Sequence, residues 1–108
     1  MPAAEFVLIY STFPDRDSAI SVCELLVKSR LAACANISAP MISVYAWQDE
    51  LTRAEEIAVL IKTRASLADA AIDAARQVHP YTTPCFLTLA VEGGNAQYLD
   101  WLRQQTQP

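Results

Sequence analysis

Residues 52–63 read Thr-Arg-Ala-Glu-Glu-Ile-Ala-Val-Leu-Ile-Lys-Thr. In an extended chain successive side chains point to opposite faces, so Ile57, Val59 and Ile61 share one face while Ala58 and Leu60 occupy the other. Both faces are apolar. A strand with one solvated face alternates apolar and polar residues instead. Residues 6–11, Phe-Val-Leu-Ile-Tyr-Ser, show the same habit, with Phe6, Leu8 and Tyr10 interleaved with Val7 and Ile9, and Pro14 closing the run. These two segments predict the centre of a sheet that needs cover on both sides.

Working outward, residues 33–47 are rich in Ile, Val, Tyr and Ser and form a further strand. Pro40 interrupts it, because proline has no N–H for the ladder, which predicts a kinked edge strand. The polar stretch Gln48-Asp49-Glu50 turns the chain, so residues 33–47 and 52–63 make a long hairpin. About 14 residues per arm at ~3.3 Å each span ~45 Å. A 108-residue domain has a radius of gyration of only ~13 Å. The hairpin tip therefore overhangs the core.

Residues 15–30 carry Ala19, Val22, Cys23 and Leu26 at helical spacing. Asp15 and Asp17 suit the first turn, and Lys28 and Arg30 the last. Ser66 and Asp69 give a capping signal for a second helix with the stripe Leu67, Ala71, Ile72, Ala75 and Val78, ended by Pro80. Residues 85–91 form a fourth strand. Gly93-Gly94 then turns the chain, and Asn95 caps a final helix carrying Tyr98, Leu99, Trp101 and Leu102. The order is that of an α+β, ferredoxin-like βαββαβ antiparallel sheet, with an additional C-terminal helix and a long hairpin between the second and third strands. Residues 1–108 make one domain. Two helices shield one sheet face, so the apolar second face and the long edge predict a homo-oligomer.

Composition sets further bounds. Hydrophobic residues are 53% and charged residues 19%, which fits a packed domain. A net charge of -4 is the wrong sign for a phosphate-backbone binder, so nucleic acid is not expected as a partner. No apolar run approaches the ~18–20 residues of a membrane span, and no basic and apolar leader opens the chain, so a cytoplasmic location without membrane contact is expected. Three cysteines, Cys23, Cys34 and Cys85, cannot all pair within one chain, and reduced thiols are the default.

Four segments, in shared order, resemble the CutA divalent-cation-tolerance family: Arg30-Leu-Ala-Ala-Cys-Ala-Asn36, Tyr45-Ala-Trp47, Glu55-Glu-Ile-Ala-Val-Leu-Ile-Lys-Thr63, and His79-Pro-Tyr81 followed by Glu92-Gly-Gly-Asn95 and Tyr98-Leu-Asp-Trp101. The resemblance implies a ferredoxin-like protomer, a tight homotrimer built through its sheets, and a role in tolerance of copper and other divalent metal ions. It also implies copper ligands at positions matching Ser11, Val78 and His79, of which only the histidine is a strong donor here. Thr82 and Cys85 stand where members often carry acidic residues.

His79 is the single histidine, and imidazole suits copper, nickel or zinc. It also suits the negative end of a helix, where the residue before Pro80 ends the turn. Cys34 is the second candidate metal ligand, since thiolates favour Cu(I) and Zn(II). On a sheet ordered 4-1-3-2, Cys34 and Cys85 lie on opposite edges, three strand spacings or ~14 Å apart, so only contacts between subunits bring them to one metal. No cofactor is obligatory in this reading, and copper or another divalent metal is the one expected. Tyr45, Trp47, Lys62, Tyr81 and Glu92 form a candidate ligand cleft or subunit interface, with a Lys62–Glu92 ion pair as the plainer reading of two of them. Glu55 and Glu56 read as charges that solvate a strand edge.

Competing classes fit less well. An RNA-recognition domain displays aromatics on its central strands, and residues 57–63 have none. An acylphosphatase-type hydrolase needs a glycine-rich phosphate cradle, which residues 11–15, Ser-Thr-Phe-Pro-Asp, do not supply. No nucleophile and base stand at a catalytic spacing, so a non-enzymatic protein is expected. A regulatory trimer of the nitrogen-regulatory PII type, binding a small ligand at intersubunit clefts, is the alternative, on fold analogy.

Overall fold

The structure is a computed structural model and describes residues 4–108. Along the chain run β1 (Phe6–Phe13), α1 (Arg16–Lys28), β2 (Cys34–Ile37), β3 (Met41–Trp47), β4 (Glu50–Arg64), α2 (Ala68–Val78), β5 (Phe86–Val91) and α3 (Ala96–Gln105). The strand order is β2-β4-β1-β5, all antiparallel, with β3 pairing the outer half of β4. This is the expected ferredoxin-like sheet with β4 and β1 at its centre.

The kinked edge strand is two strands, β2 and β3, because residues 38–40 leave the ladder. Pro40 cannot donate to it, and Ser38 substitutes for the lost regularity. The Ser38 amide donates to the Ala58 carbonyl at 2.9 Å, and the Ala58 amide donates to Ser38 Oγ at 2.8 Å. Beyond this break β3 and β4 continue as the overhanging hairpin. Its two-residue turn places Gln48 and Asp49 at φ 50° and 65°, the left-handed pair that matches the twist of a tight hairpin. The long axis of the chain is 45 Å and its radius of gyration 14.7 Å, above the ~13 Å of a compact domain this size.

All three helices depart from the expected pattern at their ends. Asp15, expected in the first turn of α1, is its cap instead, accepting from the Ser18 amide at 2.8 Å, and the helix stops at Lys28. Arg30 then takes a left-handed conformation, φ 61°, usually glycine's role at a helix end. Its guanidinium donates to the Gln104 carbonyl at 2.6 Å and so ties this corner to the C-terminal segment. The Ser66–Asp69 cap does not form. Residues 65–67 make a 3-10 turn, and α2 starts from Leu67 without a side-chain cap, because burial of Leu67 and Ala68 fixes the entry. Asn95 precedes α3 but makes no side-chain cap either.

The inner sheet face joins Val7, Ile9 and Phe13 of β1 to Ile57, Val59 and Ile61 of β4, under Val22 and Leu26 of α1 and Ala71 and Ala75 of α2. The outer face is built from cross-strand rows: Tyr10 stands between Leu60 and Leu87, Leu8 between Lys62 and Leu89, and Phe6 between Arg64 and Val91. Helix α3 packs on this outer face over the last row, where Leu102 and Leu99 meet Phe6, Ala33 and Val91, and touches the next row through Tyr98 at Lys62. Leu60, Leu87 and Leu89 are left 38%, 59% and 49% exposed. Ile42, Val44, Trp47 and Leu51 of the hairpin are more than half exposed.

Candidate functional site

Where β1 ends, the chain segment after α2 folds back over the outer face and encloses a cleft of about 580 Å³. Thr12 and Glu56 form its floor, on β1 and β4. Tyr45 and Trp47 rise from β3, and Tyr81, Thr82, Thr83 and Cys85 close the far wall. Strand alternation explains the grouping. Glu56 faces Met41 across the β3–β4 ladder, so Glu56, Ser43, Tyr45 and Trp47 share one face.

His79 holds the far wall in place. Helix α2 ends there with His79 extended, φ -72° and ψ 138°, as a residue before proline prefers. Its ring is buried against Phe13, centroids 4.3 Å apart and stacked, with Phe86 edge-on at 5.7 Å. Both ring nitrogens are used. Nε2 lies 2.9 Å from the Thr12 carbonyl, which only accepts, so Nε2 carries the proton. Nδ1 then accepts the Tyr81 amide at 3.0 Å. A metal at either nitrogen displaces one of these bonds. Burial holds the His79 pKa below the ordinary histidine value, against the opposing pull of the Thr12 carbonyl and the Glu56 charge.

A pH dependence follows. The native ring resists a proton that the unfolded chain accepts near pH 6.5. The stability due to neutral His79 is therefore fully present above that pH and is lost as pH falls below it toward the lower native value. Urea midpoints measured between about pH 5 and 8 should fall on the acid side for the wild type, and less steeply for His79→Asn. Equal slopes in the two proteins would show that His79 is not responsible.

Glu56 is the centre of the cleft. The Tyr81 hydroxyl donates to its Oε2 at 2.7 Å. Burial pushes the carboxyl upward, but the hydroxyls of Ser43, Tyr81 and Thr12 more than offset this and hold it below the usual carboxylate range. The Tyr81 phenol is raised by burial and by its bond to Glu56, and the Cys85 thiol by burial and the Glu56 charge. At neutral pH the cleft thus holds one ionised carboxylate beside a protonated phenol and a protonated thiol. Glu55, expected to act like Glu56, is exposed on the opposite face. The reading of Glu56 as an edge charge is corrected: the fold-back at Pro80 brings Tyr81 over it, and no local sequence signal announces that approach.

The other expected residues divide between the two ends of the sheet. Tyr45, Trp47 and Tyr81 line the cleft. Lys62 lies six residues along β4 from Glu56, ~20 Å away, where its ammonium reaches the Tyr98 hydroxyl at 3.3 Å. Glu92 follows β5 at that same far end and is exposed. The ion pairs among the described residues are Arg76–Asp73, Arg103–Glu5 and Arg103–Asp100, so the Lys62–Glu92 pair does not form within the chain. Cys34 faces Lys62 on the outer face, four positions along the ladder from the row of Thr12 and hence ~13 Å along the strands from His79's anchor. Ser11, which the family resemblance implied as a copper-ligand position, donates to the Cys85 carbonyl at 2.6 Å, and Val78, implied likewise, is exposed. Among the described residues no three His, Cys, Asp or Glu side chains gather as a metal site. Cys23 is core, its thiol pushed up to about 11 by burial.

The fold of this chain is shared with known proteins. A family profile described as CutA1 divalent ion tolerance protein matches residues 7–105. The chain belongs to the CutA1 family. The divalent-cation tolerance protein CutA of Thermus thermophilus is 39% identical over 94% of this chain and 97% of its own length. The crystal structure of CutA1 from the psychrotrophic bacterium Shewanella sp. SIB1 superposes with a TM-score of 0.95 at 30% identity, covering 99% of this chain and 100% of that one. CutA from Archaeoglobus fulgidus, described as a periplasmic divalent cation tolerance protein, superposes at 0.89 with 33% identity over 93% and 97% of the two chains. The CutA1 assignment carries divalent-ion tolerance as the family's role and the ferredoxin-like sheet as its fold. No helix among the described residues is long and apolar enough to cross a membrane.

Proposed function

We propose that the protein is a non-enzymatic homotrimer acting in tolerance of divalent metal ions, copper among them, and that it holds copper weakly at a site between subunits. The observation that carries this reading is the outer sheet face: Leu60, Leu87 and Leu89 lie in adjoining rows and α3 leaves them exposed. Monomeric proteins seldom expose a contiguous apolar face, and copies of the chain are the covering partner of matching chemistry. Cys34 lies on that same face, so a thiolate there meets donors from a neighbouring subunit rather than from its own chain. The protonation pattern of the cleft supports a non-catalytic role, since neither Cys85 nor Tyr81 is biased toward a nucleophilic anion. Three free cysteines fit the reducing cytoplasm, and the net charge of -4 argues against nucleic acid as a partner.

Copper titration by calorimetry under reducing conditions tests the metal reading. Wild type should bind with micromolar or weaker affinity. Cys34→Ser should weaken that binding, and His79→Ala should leave it unchanged, because both ring nitrogens are already bonded. A tight site that survives both substitutions would overturn the proposal. A second reading, a PII-type regulatory trimer that takes a small ligand at its clefts, is favoured by one feature: the aromatic walls Tyr45, Trp47 and Tyr81 around a cleft of about 580 Å³, a volume typical of small-molecule sites.

A further inference from the structure

Glu56 is an ionised carboxylate that forms no ion pair with a lysine or arginine among the described residues. No lysine or arginine lines the cleft, and the hydroxyl groups around it are neutral. Beside it stand Tyr45 and Trp47, whose side chains the rest of the chain leaves 42% and 62% exposed, and Tyr81, which is bonded to it. Aromatic faces carry negative potential and attract cations, tryptophan most strongly. One negative charge walled by three rings is the chemistry that recognises a bulky, weakly hydrated cation. A bare metal ion needs several lone-pair donors, which ring faces do not offer.

We propose that this cleft binds a small organic monocation through an alkylammonium head placed between Trp47, Tyr45 and the Glu56 carboxylate. The proposal deepens the small-ligand reading given above and rests on it. Tyr81 has two roles: its ring forms a wall, and its hydroxyl orients Glu56. The cleft volume of about 580 Å³ exceeds what one inserted lysine side chain fills, which favours a free small molecule over a side chain of another copy.

The test uses the full chain carrying Trp101→Phe, which removes the other of its two tryptophans and makes Trp47 the reporter. Three probes of equal size are titrated against Trp47 fluorescence: choline, its uncharged isostere with carbon in place of nitrogen, and the anion pivalate. Choline should give a saturable change, with the isostere at least about tenfold weaker and pivalate silent. Glu56→Gln should abolish the preference for choline over the isostere while the sedimentation coefficient stays the same. Equal binding of the isostere or pivalate would overturn the cation class and leave the small-ligand reading standing. Silence of all three probes on an intact particle would overturn both. Dissociation of the particle by Glu56→Gln, with choline silent, would show that the carboxylate serves assembly instead.

Discussion

Aspartate at positions 60 and 87 should leave the chain folded and separate the proposed homotrimer into single chains. Leu60 and Leu87 flank Tyr10 in one row across β4, β1 and β5, and neither touches the helical core, which lies on the opposite face. Burying a leucine contributes about 1.5–3 kcal/mol, so the pair forfeits about 3–6 kcal/mol per subunit, and two desolvated carboxylates oppose association further. Far-UV circular dichroism should be retained while light scattering falls to the mass of one chain. Leu60→Asp with Leu87→Asp in a particle that keeps its mass would show that this face is not the contact.

Phe13→Ala should be the most destabilising single truncation. Phe13 is fully buried at the end of β1, in the core against Ile57 and stacked on His79. Truncating a buried phenylalanine costs about 3–5 kcal/mol, out of a total of about 5–15 kcal/mol for a typical protein. The melting temperature should fall by roughly 15 °C. Loss of the ring also removes the platform under His79, so the Tyr81–Glu56 bond loosens with it. Choline response at Trp47 should weaken in the same variant under conditions where it remains folded. A drop of only a few degrees would mean that the His79 corner is not a keystone of the core.

Much of the fold is legible in the sequence because it depends on two-residue alternation. Ile57, Val59 and Ile61 against Ala58 and Leu60 place β4 at the sheet centre, and the Phe6–Tyr10 alternation does the same for β1. Pro40 marks the break in the edge strand. Where a helix starts is less legible: Ser66 and Asp69 carry a capping signal, yet burial of Leu67 sets the turn. The side of the sheet that α3 covers is set by Leu102 and Leu99 finding Phe6 and Val91, a tertiary match without a local signature.

The cleft is half legible. Tyr45, Trp47 and Tyr81 are candidate interface or cleft aromatics in the sequence, and they line one cleft. Lys62 and Glu92 also stand out, but strand length puts them at the far end. Glu56 looks like its neighbour Glu55, and only the alternation of β4, combined with the return of the chain at Pro80, separates a cleft carboxylate from a surface charge. From the sequence His79 reads as a ligand candidate and as a helix end. The two hydrogen bonds to Thr12 and Tyr81, from partners 67 and 2 residues away, are what show it holding the loop.

Native mass is the most direct measurement of the central claim that copies of this chain cover one another's outer faces. Sedimentation equilibrium of the unmodified protein at micromolar concentration should return the mass of three chains, unchanged on dilution through that range. A stable mass of one chain, with Leu60, Leu87 and Leu89 left in water, would contradict it.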